Sequence, residues 1–93
     1  MGHVPRYEQE AIQAQIEQSS PTEREQMQKD AEAILTTASS LASVGRLTPM
    51  YETEAMSAIE VLTRIDAQKE GKGPLFRGKR RIQYVHKYLM QRV

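Results

Sequence analysis

The stretch Gly73-Pro74-Leu75-Phe76-Arg77-Gly78-Lys79-Arg80 falls one residue short of G-x-x-x-x-G-K-[ST]. In that pattern backbone amides cradle phosphates, the lysine reaches the terminal phosphates and the hydroxyl holds magnesium. Here Arg80 stands where the hydroxyl belongs, Pro74 removes an amide donor and Phe76 adds bulk. Nothing upstream reads as a buried parallel strand, and 93 residues are short for the α/β domain that carries such loops. The stretch therefore reads as a basic loop between helices. A helix beginning near Lys79 would still present free amides and a positive dipole end to an anion, with Arg77, Lys79, Arg80 and Arg81 around it.

A second constellation follows directly. Arg81, Tyr84, Tyr88 and Arg92 are spaced 3, 4 and 4, so a helix places them on one face, its outer surface, flanked by Arg80, Gln83 and Lys87. Cations interleaved with aromatic rings suit a nucleic acid, whose phosphates take the charge and whose unpaired bases stack. They equally suit a protein interface, where Tyr and Arg are favoured anchors. The alternative is structural, with the tyrosine bodies bordering the core and the cations solvated. The candidate binding residues are accordingly Lys72, Arg77, Lys79, Arg80, Arg81, Tyr84, Lys87, Tyr88 and Arg92.

Catalytic chemistry finds little to work with. Cysteine is absent, so disulfides and thiolate metal sites are excluded. Two histidines, His3 and His86, come without a carboxylate cluster at helical spacing, and no metal or cofactor is expected. The serines sit in no nucleophile motif. The acids fall at outward helical positions, away from any apolar pocket that would raise a pKa. No catalytic residue is assigned.

The composition bounds what can position these residues. Apolar residues make up 39% of the chain, much of it alanine, with one Phe, four Tyr and no Trp. A chain of this length makes one domain with a thin core. No apolar run approaches the roughly 20 residues of a membrane span, and the N-terminus lacks the apolar stretch of a signal peptide. With cysteine absent, a cytoplasmic location is expected. The net charge of +1 conceals a polarity. From Lys69 onward eight Lys/Arg face one acid, Glu70, for a net of +7, which leaves −6 on residues 1–68.

Four helices are expected in an all-α, antiparallel bundle of three to four helices. Residues 1–20 hold a weak N-terminal helix from about Arg6 to Gln18, whose stripe of Tyr7, Ala11, Ile12 and Ile16 is narrow. Residues 21–93 form the helical domain. Ser20-Pro21-Thr22-Glu23 is a capping box that opens the second helix, with Met27, Ala31, Ile34, Leu35, Ala38 and Leu41 on one face. Gly45 suits the left-handed position after its end. Thr48-Pro49 opens the third, with Tyr51, Ala55, Ala58, Ile59, Leu62 and Ile65 inward and Glu60–Arg64 paired on another face. That helix should stop near Glu70-Gly71. Residues 69–93 supply the basic loop, anchored by Leu75 and Phe76, and a last helix from Lys79. A strand with Ile82, Tyr84, His86 and Tyr88 on one face is the weaker alternative. Ile82, Val85 and Leu89 form the inward stripe of that helix, which keeps it from lying on a membrane.

The function expected is a non-enzymatic adaptor, inhibitor or regulator that binds a protein partner through the basic loop and last helix. The partner would present an acidic surface. A nucleic-acid-binding regulator using the same face is the alternative, and the thin core leaves room for self-association.

Overall fold

A computed structural model of the chain describes residues 4–90. Four helices follow one another: α1 (Arg6–Gln18), α2 (Pro21–Ser43), α3 (Pro49–Glu70) and α4 (Pro74–Leu89). There is no strand among the described residues. The result is a small all-α bundle, 37 × 26 × 23 Å along its principal axes.

The local signals act as their chemistry dictates. Ser20 Oγ accepts from the Glu23 amide at 3.2 Å, and the Glu23 carboxylate accepts from the Ser20 amide at 2.8 Å. The Ser20 amide, and after it the Ser20 hydroxyl, hold the Glu23 carboxyl below its ordinary pKa. Thr48 Oγ1 caps α3 by accepting from the Tyr51 amide at 3.2 Å. Proline occupies the first turn of α2, α3 and α4, where an amide would have no partner. Both long helices end alike. Gly45 and Gly71 take φ values of 70° and 62°, and the following amides of Arg46 and Lys72 reach back to Leu41 O at 2.8 Å and Ala67 O at 2.9 Å. A Cβ at Gly71 would meet nothing within 4 Å, so only its backbone conformation disfavours a side chain. Gly71→Ala is expected to cost about 1 kcal/mol in urea unfolding, the penalty of a left-handed L-residue.

α3 is the central helix. It packs against α1, α2 and α4, and α2 also touches α4. Its buried residues run round the helix rather than along one stripe: Ala55, Met56, Ala58, Ile59, Glu60, Leu62, Thr63, Arg64, Ile65 and Ala67. The main core joins α2 and α3 through Ala31, Leu35, Ala38, Ala55, Ile59 and Leu62, with Tyr84, Val85, Tyr88 and Leu89 of α4 packed against it. A smaller cluster of Ile12, Ile16 and Ile65 holds α1.

Four expectations are corrected. Tyr7 and Ala11 face solvent, with Tyr7 77% exposed, because α1 turns Gln9 and Gln13 toward Arg64 instead. The loop after α3 is only Gly71-Lys72-Gly73, since Pro74 opens α4 five residues earlier than Lys79. That shift leaves Leu75 82% exposed where an inward anchor was expected, while Phe76 is half-buried. Ile82 is 60% exposed, outside the core stripe that Val85 and Leu89 serve.

Candidate functional site

α4 has two faces of different chemistry, and its angular setting on α3 decides which residues each one takes. The setting is fixed by Glu60. This carboxylate is 1% exposed, beneath α4. It accepts from Arg64 Nε at 2.8 Å and from Arg81 Nε and Nη2 at 2.8 and 2.9 Å. Burial pushes the Glu60 carboxyl upward, but the Arg81 and Arg64 hydrogen bonds and charges outweigh it and hold the group below the usual carboxylate range. The same bond to Glu60 raises Arg81 further, against its partial burial. Arg64 in turn donates to Gln13 Oε1 at 2.9 Å and Gln9 Oε1 at 3.1 Å. One buried carboxylate thus ties α1, α3 and α4 together. The reading that every acid points outward is corrected here: the Glu60–Arg64 pair exists, but inside the bundle.

A second polar cluster continues along the same seam. Tyr84 donates its hydroxyl to Asp66. Burial first, then this hydrogen bond and the Asp66 charge, push the phenol well above its ordinary pKa. Arg80 lies over the Phe76 ring at 4.9 Å, 3.3 Å from Glu70 and 3.7 Å from Asp66. Tyr84 and Tyr88 stack at 6.3 Å, both against the core.

The sequence-derived candidates therefore separate. Arg80, Arg81 and Tyr84 are engaged by acids of α3, and Tyr88 packs beside them on the inner face. Their common helical face is the inward one, a correction to its reading as an outer surface. Lys72, Arg77, Lys79 and Lys87 form no ion pair among the described residues, and Lys87 sits 5.1 Å above the Tyr88 ring. Arg92 lies outside the described residues. The anion site expected at a helix beginning near Lys79 is displaced as well, because Lys79 and Arg80 sit inside α4 where their amides serve the helix.

The outer face of α4 was missed. Leu75, Lys79, Ile82, His86 and Met90 follow one another at spacings of 4, 3, 4 and 4, and all five are exposed. Leu75, Ile82 and Met90 are 82%, 60% and 47% exposed. Lys72, Lys79 and Lys87 border them. The spacing was visible in the sequence, but an apolar residue at helical spacing is read as inward unless a stronger claim on that face is known. The claim came from Glu60 and Asp66, whose demand for Arg81 and Tyr84 rotates α4.

What the arrangement can do is bind. The inner networks are mostly occupied with partners of their own, with Arg80 Nε buried and making no hydrogen bond among the described residues, while the outer stripe offers apolar contact with cations beside it. Compared with known protein families, curated proteins and solved structures, this chain finds no match.

Proposed function

We propose that this chain is a binding module without chemistry of its own, which docks a protein partner on the outer face of α4. The observation that carries this reading is the exposed row Leu75–Ile82–Met90 with Lys79 within it and Lys72 and Lys87 beside it. Single exposed apolar residues are ordinary on a protein surface. Three on one helix face at two-turn intervals, with Lys79 and His86 between them, form an interrupted apolar row of the kind an amphipathic helix lays against a partner. The partner chemistry follows: apolar contact for Leu75 and Ile82, acids for the bordering lysines. A nucleic-acid role has less to stand on. Arg80 and Arg81 are neutralised by Glu70, Asp66 and Glu60, and the tyrosines that would stack on bases are turned to the core.

The test is recovery of partners on the immobilised full chain, on Lys79→Glu/Ile82→Glu, and on a control, Lys29→Glu, at a surface pair of α2. Loss of a central apolar anchor is worth about 2 kcal/mol, so the double variant should retain its partner at least about 10-fold less well than wild type and control. Binding should persist at about 0.5 M salt, where contacts resting on phosphates fail. Equal recovery on all three would sink the reading. Oligonucleotide binding that collapses steeply with salt would replace it with the nucleic-acid alternative.

A further inference from the structure

The side of the bundle away from α4 carries an open groove. α1 and α2 both lean on α3, and between them lies a cleft of about 480 Å³. Its walls include Ile12, Met27, Ile34 and Val61, all apolar, with Met27, Ile34 and Val61 only partly buried. Its rim holds three carboxylates, Glu8, Asp30 and Glu54. Glu8 accepts from Ser57 Oγ at 2.7 Å and Asp30 from Gln26 Nε2 at 2.8 Å, but none of the three meets a cation among the described residues. An apolar floor inside an anionic rim fits an amphipathic helix whose apolar row is bordered by lysines.

The chain owns such a helix face. Leu75 and Ile82 stand two helical turns apart, roughly 10 Å at the rise of an α-helix, and the α2 wall from Met27 to Ile34 has the same length. Lys79 lies between the two apolar residues and Lys72 and Lys87 flank them, opposite in sign to the rim. We propose that the α1/α2/α3 groove of one copy receives the outer stripe of α4 from a second copy. The inference rests on the reading of that stripe as a docking surface and names its partner. The stripe takes its cations from the +7 part of the chain and the groove rim its acids from the −6 part.

On α3, Glu54, Ala58 and Val61 line the groove, while Glu60, Asp66 and Glu70 hold α4. The groove is lined from α1, α2 and α3, with no residue of α4 in its lining, so a copy's groove and its own stripe are different surfaces. A single contact leaves a stripe free on one copy and a groove free on the other, and these take further copies in an open series or each other in a closed pair.

Sedimentation velocity of the full chain over a concentration series tests this. The weight-average mass is expected to rise with concentration from 10.6 kDa to that of the dimer or beyond. Two charge-reversed variants sharpen it, Asp30→Lys/Glu54→Lys in the groove and Lys79→Glu/Lys87→Glu on the stripe. Each alone opposes like charges and should associate at least 10-fold more weakly than wild type. Mixed in equal amounts they restore opposite charges at both contacts, so association should return. That recovery also shows that both variants are folded. A wild-type monomer at concentrations up to about 1 mM, the weak limit of specific binding, overturns the proposal. So does a mixture that stays as weak as its components. A monomeric wild type whose α4 variant still loses a different protein partner would refute self-association while leaving the docking stripe in place.

Discussion

Glu60→Ala is expected to lower the unfolding free energy by about 3–5 kcal/mol, the cost of removing one partner from a buried ion pair. For a domain of this length, whose whole stability is of order 5–14 kcal/mol, that is a large fraction. The reason is that Arg64, whose side chain is 10% exposed, would stay buried with its only carboxylate gone, and Arg81 would lose both of its bonds to the same group. Arg81→Met should cost less, because its side chain is 32% exposed and can reach water when unpaired. Replacing Glu60, Arg64 and Arg81 together by apolar residues of similar volume should recover most of the loss, since no charge is then left uncompensated. Urea unfolding of the four proteins gives the order directly. If Glu60→Ala unfolds at the wild-type midpoint, the three-helix tie through this carboxylate is not holding the bundle together.

The same carboxylate sets a pH dependence. Its folded pKa is depressed below the ordinary value of 4.5. The stability it contributes is therefore present above that value and is lost as pH falls through the folded pKa. Wild-type stability should decline on acidification below about pH 4.5, and the decline should be shallower in Glu60→Gln, with the Ser20–Glu23 cap supplying part of what remains.

Ile16→Ala is expected to release α1 while the other three helices stay folded. Ile16 is fully buried, and truncating a buried isoleucine costs about 2–5 kcal/mol. The apolar hold on α1 is small, namely Ile12 and Ile16 against Ile65, with Met27 and Val61 beside them. Its remaining ties are Val4, buried in the main core just before the helix, and polar contacts: Gln9 and Gln13 with Arg64, Glu8 with Ser57, and the Ile16 and Ser19 carbonyls with Arg24. A loss of 2–5 kcal/mol from so small a contact should be felt locally before it is felt globally. Amide exchange within Arg6–Gln18 should accelerate roughly 30-fold or more, while amides around Leu35 and Ile59 keep their protection. Uniform acceleration across all four helices would show instead that α1 folds as one unit with the rest. Because α1 forms one wall of the groove, the same variant should also weaken the proposed self-association.

The helices were legible because their signals are local. Ser20, Thr48 and the prolines after them mark starts through bonds made within one turn, and Gly45 and Gly71 mark ends through a backbone angle. The inward faces of α2 and α3 followed from spacing, as the burial of Ala31, Leu35, Ala38, Ala55, Ile59 and Leu62 shows. α4 was legible as a helix but not in its start or its rotation. Its glycines at 71, 73 and 78 imitate a long loop, yet Gly78 lies within the helix and leaves open space where a Cβ would be.

The candidate site was only partly legible for the same reason. Lys72, Lys79 and Lys87 were named from their charge and remain exposed. Arg80, Arg81 and Tyr84 were named from the same pattern and are drawn into the bundle by Asp66, Glu70 and Glu60. Nothing near Glu60 in the sequence sets it apart from an exposed helical glutamate. Its burial arises because α3 is surrounded by three other helices, so even its polar side is covered, and a covered carboxylate must find cations. The sequence alone determined helix type, most helix ends and the charge polarity, all properties of residues and near neighbours. The tertiary structure decided that α3 is central, that Glu60 sits under α4, and that Leu75 and Ile82 therefore face out. A helix's rotation follows from which of its residues satisfy the partners it packs on, and those partners lie more than ten residues away along the chain.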